Sequence, residues 1–341
     1  MHHVAVDLGS RQSQLCVRSP EGQIQQEVKV ANAGLGVTLA ALPKSRVILE
    51  SSSEAFAVAD LALGAGHEVN IVPSGLAHNL GVGQRGVKTD KRDARNLSMA
   101  SCRMETLPTV HLPSMHSREL RRLLTSRGQL VSARTGMVNS VRGWLRSQLL
   151  RAPRGTCPEN FPKRIRELTL SRPEGLPEHI ERLLKVVETL NDQLKMADKE
   201  LESLTEADLV CQRLMTVPGV GPVTSATFRA TVDEVSRFKT AHAVESYVGL
   251  TPGENSSGET VQKLGISRAG STRARAVLVQ AAWSAWRTRP SDPMVCWARG
   301  LARRRPIQVA VVALARKISG ILFALWRDEA NYDPKHGSQQ Q

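Results

Sequence analysis

Val87-Lys88-Thr89-Asp90-Lys91-Arg92-Asp93-Ala94 places two carboxylates three residues apart inside a basic run. Thr89 can cap a helix whose first turn holds Asp90, where the helix dipole favours an acid. A spacing of three puts Asp90 and Asp93 on one helix face. Carboxylate oxygens are the ligands that hard divalent cations prefer. Lys88, Lys91 and Arg92 would stand beside such an ion, where a phosphate could be held. Taken alone, the stretch reads first as a solvated, charge-patterned helix start; what shifts the balance is the pair of strands upstream.

Upstream, two strands can each supply a further acid. Residues 3–10 read as a strand carrying Asp7 and then a turn, and Gln14 to Arg18 and Ile24 to Val30 extend it into a meander. Val37 to Leu42 predicts a short helix. Arg46-Val47-Ile48-Leu49-Glu50 predicts a buried strand ending in an acid. Glu54 to Leu63 predicts a helix closed by Gly64-Ala65-Gly66, and Val69 to Val72 a fifth strand. Strands followed by alternating strands and helices predict an α/β domain with a mixed sheet. In such a sheet Asp7 and Glu50 can lie on neighbouring strands, with Asp90 and Asp93 on a helix packed across their ends. Four carboxylates this close repel unless a cation neutralises them. A two-metal site, its ions about 3.5–4 Å apart, serves in-line phosphoryl displacement. Singly, Asp7 reads as a turn acid before Gly9 and Glu50 as a surface acid.

Downstream, residues 116–154 hold nine arginines against Glu119 alone, with Leu120, Leu124, Val131, Val138, Val141 and Leu145 near helical spacing. Long helices with a wide arginine face suit nucleic acid better than plain solvation. Pro153 to Pro177 predicts an irregular connection. Ile180, Leu183, Val187, Leu190, Leu194, Ala197, Leu201 and Leu204 form a coiled-coil seam. It can pair with the preceding basic helix or between chains. Leu214 to Pro222, containing Val217-Pro218-Gly219-Val220-Gly221, predicts a helix-hairpin-helix element. There Gly219 and Gly221 would let backbone N–H groups approach a phosphate; the plainer reading is a tight turn. Tyr247 to Gly258 ends in a small-residue loop offering Ser256 and Ser257, followed by Lys263, Arg268 and Arg273. With no histidine adjacent, the residues alone favour a turn serine over a nucleophile.

The 341-residue chain has a net charge of +14, and Lys263 to Arg327 carries 13 Lys or Arg against Asp292 alone. A folded protein this basic meets a polyanion, nucleic acid first. The five cysteines form no CxxC pair, which argues against zinc sites and disulfide frameworks. Met1-His2-His3-Val4 shows no signal peptide. The apolar tract from Ile307 to Trp326 is interrupted by Arg316 and Lys317, and predicts a buried helix. A cytoplasmic protein without membrane partners is expected.

Asp7, Glu50, Lys88 to Ala94, the Val217 to Gly221 hairpin, and Gly249-Leu250-Thr251-Pro252 leading to Ser256-Ser257-Gly258 and Gly265 to Gly270 together resemble the DEDD-type insertion-sequence transposases of the IS110 family, related to site-specific DNA invertases. Five motifs match in the family's order over nearly the whole chain. Where the family commonly has Thr-Gly after the glutamate, this chain has Ser51-Ser52-Ser53.

The resemblance implies four segments: a RuvC-like, ribonuclease-H-type α/β domain over 1–112, a basic helix and coiled coil over 113–208, a mostly α transposase domain over 209–335, and a disordered tail over 336–341. It implies Mg²⁺ or Mn²⁺ held by Asp7, Glu50, Asp90 and Asp93. It implies a catalytic serine that becomes covalently linked to DNA, with Ser257 the best fit and Ser256 the reserve. Donor and target DNA, a structured non-coding RNA guide, and a homodimer or homotetramer are the implied partners, and acids and serine can come from different subunits. The alternatives are a RuvC-like junction resolvase or nuclease using the acids alone, and a non-catalytic nucleic-acid-binding regulator. A sugar-kinase-like fold could begin with Val6 to Ser10, but no second glycine-rich phosphate loop follows.

Overall fold

The computed structural model describes residues 1–77, 89–170, 175–257 and 260–335. Lys88, Gly258 and the tail 336–341 lie outside the described residues. The chain divides into two compact units, Met1–Pro113 and Ser114–Gln341.

The first unit contains β1 (His2–Asp7), β2 (Gln12–Arg18), β3 (Ile24–Ala31), α1 (Leu35–Ala40), β4 (Ser45–Glu50), α2 (Ala55–Gly64), β5 (Glu68–Val72), the short α3 (Ser74–Ala77) and α4 (Asp90–Arg103). The sheet order is β3-β2-β1-β4-β5. The β1–β2 and β2–β3 pairs are antiparallel, and β1–β4 and β4–β5 parallel. Strand side chains alternate between faces, and here the two faces bury different partners. Val4, Val6, Leu15, Val17, Val47 and Leu49 pack on Leu35 and Leu39 of α1 and on Val58 and Ala59 of α2. Ala5, Ile48 and Val72, on the opposite face, pack on Leu97 and Ala100 of α4. The buried row of α4 is Ala94, Leu97, Ser98, Ala100 and Ser101, and such small residues let the helix lie close to the sheet.

The second unit begins with α5 (Met115–Ser147), α6 (Phe161–Thr169) and α7 (Glu178–Ala207). Helices α5 and α7 pair antiparallel: Leu124 clusters with Leu201, Arg127 meets Asp198, Arg134 meets Asn191, and Val138 and Val141 cluster with Leu184 and Val187. The apolar row of α7 therefore packs on the basic helix of its own chain. Its buried positions are Ile180, Leu184, Val187, Leu194, Leu201 and Thr205, whereas Leu204 is 38% exposed. Ile180, Val187, Leu194 and Leu201 keep the expected seam, while Leu184 is buried beside Phe161 and Ile165 of α6. Helix α6 lies inside Pro153 to Pro177, the stretch expected to be an irregular connection. Pro162 sits in its first turn, where a missing N–H costs nothing. Arg166 then ties α6 to Glu181 at 2.7 Å and Glu188 at 2.5 Å.

The rest of this unit comprises α8 (Leu209–Met215), α9 (Pro222–Val232), α10 (Ala241–Tyr247), β6 (Pro252–Ser257), β7 (Thr260–Ile266), α11 (Thr272–Thr288), α12 (Pro293–Ala302) and α13 (Ile307–Arg327). By length and composition α13 could cross a membrane. Here it is the core helix, burying Val311, Leu314, Ala315, Ile318, Leu322 and Phe323 against the surrounding helices.

Candidate functional site

Val6 pairs with Leu49 in parallel register, so Asp7 and Glu50 are the next residues on adjacent strands. Across the other edge of β1, Asp7 pairs with Gln14, and Gln14 with Lys29. Lys29, Gln14, Asp7 and Glu50 thus form one row on the sheet face that α4 covers. Helix α4 starts at the β3 end of that row: Lys29 Nζ lies 3.9 Å from Asp90 Oδ2. Thr89 caps the helix, its Oγ1 accepting from Arg92 N at 3.4 Å, with Asp90 and Asp93 in the first turn. Asp7, Glu50 and Asp93 are half-buried, while the Asp90 side chain is 67% exposed.

All four acids therefore share one face and one end of the sheet, but they are not closed into a cluster. Strands stand about 4.8 Å apart, so the backbone of Lys29 lies about 10 Å along the row from that of Asp7. Among the described residues no three His, Cys, Asp or Glu side chains are grouped to hold a metal ion. Carboxylates are the donors a hard divalent cation takes, and of the four acids Asp7 and Glu50 are the two that stand on adjacent strands.

A residue the sequence reading missed fixes the acid-bearing helix. Glu27 on β3 accepts from Arg95 Nε at 2.5 Å and Nη2 at 2.6 Å, and Lys91 Nζ lies 3.3 Å away. Lys91, expected beside a phosphate, is thus turned toward this anchor. Farther along α4, Arg18 donates to Ser98 Oγ at 2.8 Å, and His3 Nδ1 lies 2.9 Å from Ser101 Oγ. The Arg95 hydrogen bonds pull the Glu27 carboxyl from 4.5 down to about 2. A depressed carboxylate stabilises the fold fully above its unfolded value and loses that contribution as pH falls through the folded one. The wild type should lose stability between about pH 4.5 and 2, and Glu27→Gln should flatten that limb while lowering the neutral-pH melting temperature. Thermal melts across this range test it; identical acid limbs would remove Glu27 as the anchor.

In the second unit, Ser256 and Ser257 lie on β6 and not in a loop. Ser256 pairs with Val261 and Ser257 with Thr260 across the hairpin. The base of the hairpin is locked. Gly249 (φ +72°) and Gly270 (φ +68°) are both left-handed, and a Cβ added to either would overlap Ala269 O or Tyr247 O. Ser267 N donates to Thr251 O at 2.8 Å, and Arg275 Nη1 donates to Ala269 O at 2.5 Å. Arg268 is exposed, with φ +56°. Gly270→Ala should cost about 3 kcal/mol or more through strain and overlap, read as a fall in melting temperature. A change within experimental error would show that the base can relax.

The Gly219 region forms the expected turn between α8 and α9. However, Gly219 (φ +85°) lies against Ala281 and Ala285 of α11, where a Cβ would overlap Ala281 O. Its missing side chain serves packing. Gly221, the N-cap of α9, has open space around it.

Comparison with known proteins matches both units. The family model for DEDD transposases of IS110 matches residues 4–149, and that described as "Transposase IS116/IS110/IS902 family" matches residues 211–293. The chain is 27% identical over 336 residues to the transposase for insertion sequence element IS1111A of Coxiella burnetii, covering 96% of this chain and 90% of that protein. It is 31% identical over 258 residues to a probable family 20 transposase of Pseudomonas aeruginosa, covering 73% and 75%. It is 24% identical over 331 residues to the transposase for IS1328 of Yersinia enterocolitica, covering 94% and 96%. With matches to both of its units and to relatives over most of their length, the chain belongs to the IS116/IS110/IS902 transposase family and is a DNA transposase of an insertion sequence.

Proposed function

We propose that the first unit is a RuvC-like, ribonuclease-H-type domain in which Asp7, Glu50, Asp90 and Asp93 hold Mg²⁺ or Mn²⁺, and that Ser257 attacks the DNA phosphodiester. The observation that carries this reading is the placement of Asp7 and Glu50 at the carboxyl ends of adjacent parallel strands, on the face covered by the helix that opens with the other two acids. Carboxyl ends of strands are where α/β sheets place their ligands. A bound divalent ion supplies Lewis-acid polarisation of a phosphoryl oxygen. Around it, Asp7 and Glu50 hold negative charge at fixed strand positions, and Glu27 holds α4 in register with them.

In the second unit, Ser257 supplies the oxygen that bonds to phosphorus as the bond to the leaving 3′ or 5′ oxygen breaks. Lys263 and Arg268 offset charge on the remaining oxygens. Arg92, in the same helical turn as Asp90 and Asp93, would meet a phosphate beside the acids, and the turn at Gly219 and Gly221 would approach the backbone of a nucleic acid. The helical pair (113–208) acts as an arm on the C-terminal body (209–335). The enzyme works in the cytoplasm as a homodimer or homotetramer on donor and target DNA, guided by a structured non-coding RNA.

Incubation with element-end DNA, the element's RNA and Mg²⁺, followed by denaturing electrophoresis, tests the reading. A covalent protein–DNA adduct is expected; cleavage without an adduct would make the protein a nuclease that uses the acids alone. Nucleic-acid affinity should also fall steeply with salt, each phosphate contact adding about 0.9 to the log–log slope on duplex DNA. A flat dependence would contradict a phosphate-dominated interface.

A further inference from the structure

Several half-buried arginines of the second unit meet a carboxylate, loop carbonyls or an aromatic ring. Arg127 meets Asp198 at 2.5 Å, Arg134 meets Glu159 at 3.0 Å, and Arg316 meets Glu245 at 2.6 Å. Arg275 donates to loop carbonyls, and Arg237 lies over the rings of Phe238 and Tyr247. Arg121 and Arg273 differ. Among the described residues, neither has a carboxylate within ion-pair distance. Arg121 Nε donates to Ala230 O at 2.9 Å, and Arg273 Nη1 to Thr125 Oγ1 at 3.0 Å. Their other nitrogens make no hydrogen bond to a described residue.

Both guanidiniums line one cavity of about 430 Å³, walled by α5, α9, the end of α10 and the start of α11, with Tyr247 and Ser271 at its edge. Burial pulls the Arg121 guanidinium below its ordinary value, partly offset by Tyr247 and Asp233. Asp233 already accepts from Ser114 N at 3.0 Å and Ser114 Oγ at 2.6 Å. Two half-buried cations lining one pocket with no carboxylate within ion-pair distance favour the arrival of an anion. The helix under them is shaped for the arrangement. Gly128, in the interior of α5, has no side chain where a Cβ would stand 3.3 Å from Arg273 Nη2. Glycine weakens a helix interior, and here its bare face gives the guanidinium room.

We propose that this pocket binds one phosphodiester of a nucleic-acid strand, with Arg121 and Arg273 donating to its non-bridging oxygens. Planar guanidinium forks match phosphate oxygens in pairs, which a lysine cannot reproduce. Gly270 and Ser271, in the segment that follows β7, line the pocket, so a strand held here runs past the root of the serine hairpin. The inference rests on the nucleic-acid reading above and adds a specific grip to it.

The test uses the full chain, with random-sequence DNA duplex and RNA of the same sequence as probes, titrated at several salt concentrations. Arg121→Gln and Arg273→Gln should each weaken binding about tenfold and lower the salt slope by about one phosphate contact. The double variant should lose little more than either single one, because both side chains hold the same phosphate. Arg273→Lys should restore the slope but not the full affinity. Arg182→Gln, on the exposed face of α7, should leave affinity and slope nearly unchanged. A loss confined to DNA or to RNA supports the pocket and identifies the strand it holds. If Arg121→Gln melts early, Arg273→Gln alone decides. Wild-type binding with unchanged variant slopes, or losses that multiply in the double variant, would overturn the shared pocket alone. Wild-type protein that binds neither probe would overturn the nucleic-acid reading with it.

Discussion

Asp7→Asn should reduce strand transfer by about 10³-fold or more, leaving the melting temperature within a few degrees of wild type. Asparagine keeps the size and a hydrogen-bonding oxygen, so what is removed is the negative charge. Asp7 ends β1 at the carboxyl edge of the sheet, beyond the apolar run Val4 to Val6 that carries the packing. The substitution therefore leaves the core untouched. Glu50→Gln, one strand away, should behave alike, and the double variant should be little worse than either, since ligands of one ion act as a unit. A readout separate from turnover is the rise in melting temperature with added Mn²⁺, which should be present in wild type and smaller in both variants. Full strand transfer by Asp7→Asn would sink the shared acid site.

Ser257→Ala should abolish the covalent adduct, a loss of at least about 10⁴-fold in a nucleophile-dependent rate, while nucleic-acid and metal binding persist. A serine hydroxyl is a weak nucleophile, and no histidine neighbours this one in sequence, so on the proposed reading activation would come through the phosphate. A metal can polarise it, and Lys263 and Arg268 can offset charge on its oxygens. Ser256→Ala should be the milder change, because successive positions of a strand are not interchangeable. An adduct surviving in Ser257→Ala but vanishing in Ser256→Ala would move the nucleophile by one residue. Recombination in the double variant would leave the acids alone to do the chemistry.

What the sequence made legible was local. Alternating or apolar runs between turn signals marked the five strands of the first unit, and an acid at the end of an apolar run located Asp7 and Glu50. A capping threonine marked the start of α4. Pairings between distant residues left no periodic trace. The Glu27–Arg95 anchor spans 68 residues, and nothing in Ile24 to Ala31 distinguishes Glu27 from a solvated strand acid. The partner of the α7 row stayed open for the same reason, since an apolar row says that something covers it but not what. Pro252 to Ser257 read as a loop because Gly, Asn and Ser have low strand propensity; the pairing with β7 and the locked base override it. Helix α6 was hidden by the prolines around it, one of which opens its first turn.

The 33-residue α5 also sets a mechanical scale. At 1.5 Å per residue it is about 50 Å long, so a tilt of about 5° about its first turns moves its far end by about 4 Å. Those first turns are seated by Leu120 and Leu124 on Leu201, Ala226 and Ala230, whereas the exposed Arg142 and Arg146 ride near the far end. A methyl group gained or lost at that seat is thus magnified into a displacement comparable to the spacing of neighbouring phosphates on a nucleic-acid strand. Core substitutions remote from every charged residue can therefore shift where Arg142 and Arg146 stand without changing a single contact there.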